Sequence, residues 1–117
     1  MTYKENAIEE VKEKIWRAQF DLDFLISGIA VLEDEQKPIF KEADDARIAW
    51  EEAEKTNDTT KAFRDKKKEL HADYQKKSSK NANYDATLSE MRGRIKTYQE
   101  SLKGLNRKIE FLTTYEK

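Results

Sequence analysis

An unbroken run of apolar positions, spaced alternately three and four residues apart, constrains this chain more than any other feature. The run begins with Ile8, Val11, Ile15, Ala18, Leu22, Leu25, Ile29 and Leu32 and continues through Gln36, Ile39, Ala43, Ala46, Trp50 and Ala53. A repeat averaging ~3.5 residues puts all of these on one stripe of an α-helix, the seam of a coiled coil. Gln36 is its single polar member. A second limb repeats the spacing with Phe63, Leu70, Tyr74, Tyr84, Leu88, Met91, Ile95, Tyr98, Leu102, Leu105, Ile109 and Leu112. Lys67, Lys77 and Asn81 are the polar members there. The expected fold is all-α, a long antiparallel helical hairpin of coiled-coil type.

Thr56-Asn57-Asp58-Thr59-Thr60 separates the limbs with turn and cap formers, so the chain should reverse near 56–60. Asp58 or Thr59 can cap the second helix, and Thr2 with Glu5 makes a capping-box pattern at the first. Antiparallel pairing requires partner numbers to sum to a constant, and the two seams allow about 113 or 120. The value 120 is preferred because it sets Ala46 against Tyr74 and Ala18 against Leu102, small against large. In that register Pro38 lies level with Ala82, inside the poor helix formers of 78–83. The sequence therefore predicts an interruption near 37–38 and 78–83, which either bends the hairpin or folds it back into a four-helix bundle. A single helical domain, 1–117, then has a proximal part, 1–37 with 84–117, and a distal part, 38–83.

Charge favours the same pairing. Residues 1–58 carry 8 basic and 16 acidic side chains, and 59–117 carry 15 and 8. The limbs attract, although exposed ion pairs select orientation more than they stabilise. The whole chain is nearly neutral, with 40% charged and 37% apolar residues, too few of the latter for a broad core. Without cysteine there is no disulfide framework, thiol nucleophile or thiolate metal site. The acidic start, with Glu9, Glu10 and Glu13, is unlike a targeting segment and suggests a cytoplasmic protein. The most apolar stretch, 24–32, is far shorter than the ~20 residues that span a bilayer, so no membrane partner is expected.

Two surfaces stand out. Trp16, Phe20, Phe24 and Val31 follow helical spacing but lie off the seam, giving the first limb a second apolar stripe that a two-helix hairpin cannot cover. The distal part, a second copy of the chain or another protein must cover it. The other surface is the basic run Lys61, Arg64, Lys66, Lys67, Lys68, Lys76, Lys77 and Lys80, interleaved with Phe63 and Tyr74. Cations at this spacing could follow a phosphate backbone, whereas the six acids of 39–55 could answer them within the hairpin. The preponderance of lysine over arginine argues against base-specific recognition.

Catalysis has little support. His71 is the one imidazole, and adjacent acids such as Asp44 and Asp45 diverge by ~100° on a helix rather than forming a dyad. No phosphate loop, zinc spacing or calcium loop occurs, so no metal, cofactor or small-molecule substrate is expected. Gly28 is the best candidate for close helix approach, with Gly93 and Gly104 on open surface. The sequence thus points to a non-enzymatic interaction protein, such as an adaptor, assembly factor, chaperone or inhibitor. It would dock helix faces on a protein partner or a second copy. The alternative is a nucleic-acid-binding accessory protein using 61–80, or a blocker of a nucleic-acid-handling machine of the small lysine- and glutamate-rich kind made by bacteria and phages.

Overall fold

A computed structural model describes residues 2–114 of the chain. Two α-helices, α1 (Tyr3–Glu54) and α2 (Lys61–Thr114), make an all-α helical hairpin, and no strand occurs among the described residues. Their starts are fixed by local chemistry. At α1 the amide of Glu5 donates to Thr2 Oγ1 and the amide of Thr2 donates to Glu5 Oε2, both at 3.3 Å, the reciprocal bonds of a capping box. At α2 the cap is Thr60, whose Oγ1 accepts from the Phe63 amide at 3.3 Å. Asp58 accepts from the Thr60 amide at 2.9 Å, which turns the chain into the cap; neither Asp58 nor Thr59 is the cap itself.

Neither helix is interrupted where the sequence predicts it. α1 passes through Pro38 and α2 passes through 78–83, so the chain has two helices among the described residues and not the four of a folded-back bundle. Pro38 has no N–H for the carbonyl of Asp34, but seam residues on both sides of it, Gln36, Ile39 and Ala43, remain at least half-buried, and the helix continues through the proline. In α2, Asn81 spends its side-chain oxygen on Gln36 rather than on nearby backbone, which removes the local competition that makes asparagine a poor helix former. Packing overrides propensity at both places.

The chain divides into two compact units, one of Met1–Ala30 with Ser89–Lys117 and the other of Val31–Leu88. In the first unit Tyr98 donates its hydroxyl to Asp21 Oδ2 at 3.3 Å, and a Cβ on Gly28 would lie 3.0 Å from Met91 Cε. In the second, Tyr84 donates to Glu35 Oε2 at 3.5 Å and Trp50 meets His71 with ring centroids 4.7 Å apart. Partner numbers fall as residue numbers rise, which makes both pairings antiparallel. Each of these pairs sums to within one of 120, not to 113. Every seam position of both limbs is buried or half-buried, and the deepest are Val11, Leu22, Ala43, Ala46, Ala53 and Leu88. The core is one seam wide, as two helices allow.

Candidate interaction faces

An off-seam residue that points away from the partner helix stays in water. In the first unit this is the position of Trp16, Phe20 and Phe24, which are 66%, 60% and 73% exposed. The Trp16 and Phe20 rings stack on each other, with centroids 5.8 Å apart and planes 20° from parallel. Charged neighbours frame them: Arg17 donates to Glu13 at 2.7 Å, and Gln19 donates to Asp23 at 2.9 Å. Val31 is exposed as well, but it belongs to the second unit. Three rings therefore form one apolar face on α1 of the first unit.

The basic run lies along α2 of the second unit. Its two seam members are engaged: Lys67 sits 5.3 Å over the Phe63 ring, and Lys77 pairs with Asp73 at 3.0 Å. Lys61, Arg64, Lys66, Lys68, Lys76 and Lys80 are exposed, and none pairs within 4.0 Å of a described acid. The expected answer from the acids of 39–55 does not arrive by direct contact. Asp44 and Glu51 are instead taken by Arg47 on their own helix, at 2.8 Å and 3.0 Å. Those bonds, with Asp44 first and Glu51 second, hold the Arg47 guanidinium above its ordinary pKa.

Two features escape a reading of the seam alone. His71, an isolated residue in sequence, is half-buried against Trp50, which also stacks on Tyr74 with centroids 5.8 Å apart. Its adjacency to the seam residue Leu70 is the signal that could have placed it. Phe40, next to the seam residue Ile39, is 58% exposed beside a cleft lined by Glu33, Gln36, Lys37, Asn81 and Asp85. Within that cleft Gln36 Nε2 donates to Asp85 Oδ1 at 2.6 Å.

Among the described residues no group of three or more histidines or acids is placed to hold a metal ion, and no helix is long and apolar enough to cross a membrane. Fold and faces together define an antiparallel two-helix hairpin with an outer aromatic face. No protein-family model, curated protein or solved structure matches the chain.

Proposed function

We propose that this is a non-enzymatic helical interaction protein, an adaptor, assembly factor, chaperone or inhibitor, which docks the outer face of α1 on another protein surface. The observation that carries this reading is the exposure of three large rings on one side of one helix, Trp16, Phe20 and Phe24. Aromatic anchors dominate interface energetics, and soluble chains seldom leave such a group in water without use. The test is comparative capture by wild-type and Phe20→Asp chains from cells that make the protein. A partner held by the wild type and lost by a variant of unchanged helicity supports docking. Loss of helicity in the variant would assign the rings to the fold, and identical capture by both chains would move the docking surface elsewhere.

The six exposed cations of α2 without an ion pair favour a second reading, contact with a phosphate backbone. Such binding should fall steeply with salt, because each neutralised phosphate releases condensed counterions. Absence of binding at ~50 mM salt, where the electrostatic contribution is strong, removes it.

A further inference from the structure

The aromatic face has a geometry that matches itself. Along α1, Trp16 lies ~6 Å before Phe20 and Phe24 lies ~6 Å after it, displaced about 40° to opposite sides of the helix. A second copy of α1, laid antiparallel with a two-fold axis at Phe20, brings Phe20 against Phe20. It also brings each Trp16 level with Phe24 of the second copy, and the opposite displacements let the rings interleave. The charges follow the same symmetry. A two-fold axis perpendicular to the helices makes like flanks face each other, and Arg17 and Asp21 share a flank. Arg17 of one copy then stands within ~3 Å in height of Asp21 of the other, twice per dimer. Glu13 falls level with Ser27 of the second copy, a hydroxyl that can donate to it.

Exposed as they are, the three rings offer roughly 400 Å² per copy, given the 150–250 Å² that an aromatic side chain can bury. With the stems of Arg17, Gln19 and Asp23 added, two copies approach the ~1,200 Å² at which specific interfaces begin. We infer that the aromatic face of α1 joins a second copy of this chain in an antiparallel, two-fold symmetric dimer centred on Phe20. It rests on the reading of this face as an interface and specifies its occupant. At this area the dimer forms at micromolar rather than nanomolar concentration.

The chain has no cysteine, so introduced pairs report proximity directly. Glu13→Cys and Ser27→Cys both leave the aromatic rings in place. Mixed under mild oxidation, they should give the crossed disulfide, because the two positions come level, while the two Glu13→Cys sites of one dimer lie ~21 Å apart along the axis. Sedimentation equilibrium on the native chain from ~1 to ~500 µM should show mass rising from monomer to dimer. Phe20→Asp should weaken this at least ~30-fold, the scale of a central interface anchor. Like-with-like crosslinks in place of the crossed product overturn the antiparallel geometry. A monomer at every concentration, or a dimer that Phe20→Asp leaves intact, overturns the proposal. A strict monomer whose capture of another protein is abolished by Phe20→Asp would end the self-pairing inference alone and leave docking on a different protein standing.

Discussion

Gln36 Nε2 donates to Asn81 Oδ1 at 3.1 Å, so the polar interruption of one seam meets a polar interruption of the other. With Asp85 also accepting from Gln36 at 2.6 Å, the pair makes a polar layer in a mostly apolar interface. Such layers lower stability and pin register. Replacing both seam residues, Gln36→Leu with Asn81→Leu, should raise the urea midpoint by the equivalent of about 1–2 kcal/mol and admit additional oligomers or registers. Denaturation with parallel mass measurement checks both halves. A more stable chain that keeps its single species would show that the layer is dispensable for register.

Pro38 is the next point of leverage. Because α1 continues through it, the residue stands where alanine would restore a backbone hydrogen bond and relieve the ring against the preceding turn. Pro38→Ala should stabilise the chain by about 1–3 kcal/mol and raise Tm, an uncommon direction for a single substitution. An unchanged or lower Tm would mean that the absent N–H costs nothing at this position.

At Gly28 two effects oppose each other. Alanine gains about 1 kcal/mol of helix propensity over glycine, but its Cβ would sit 3.0 Å from Met91 Cε. That atom is the end of a flexible side chain, so Gly28→Ala should be close to neutral. Gly28→Leu should cost about 1–3 kcal/mol, and Met91→Ala should recover part of that loss. A double-mutant cycle by urea unfolding measures the coupling, and zero coupling would separate the two residues.

The turn should respond to acid. Backbone and side-chain hydrogen bonds from Thr60 hold the Asp58 carboxyl below its usual pKa. A depressed carboxylate adds stability that is fully present above its unfolded value, about 3.9, and is lost as pH falls through the lower folded value. Wild type and Asp58→Ala should therefore differ most near neutral pH and converge at pH values below 3.8. Thermal melts of both chains across pH 2–7 check this. A difference independent of pH would mean that Asp58 acts through the turn's geometry and not through its charge.

The seam is legible in the sequence because two helices offer only one buried stripe each, and burial of that stripe is what the three-four spacing records. All its members are covered, including the polar ones at Gln36, Lys67, Lys77 and Asn81. Register is partly legible, since small residues such as Ala46 require large ones across from them. The continuity of α1 at Pro38 and of α2 at 78–83 is not, because local propensity counts the cost at each residue and omits the packing of the residues on either side. The aromatic face is legible as uncovered by the hairpin, but no spacing rule names its occupant. The place of His71 is not legible for a related reason: its flanking acids, Glu69 and Asp73, are exposed, while Trp50 reaches it from the other limb.

The contact between Asp21 and Tyr98 spans 77 residues of chain, whereas Trp50 and His71 meet just across the turn. Forming the long-range contact first would carry roughly 1 kcal/mol more loop-closure entropy than starting beside the turn. Pairing should therefore begin at 55–60 and travel outward along both helices. Biosynthesis runs the other way. At ~5–20 residues per second, the segment that pairs with Asp21 follows it off the ribosome by about 4–15 s. Val11 and Leu22, though made before every residue of α2, are among the last of the seam to find cover.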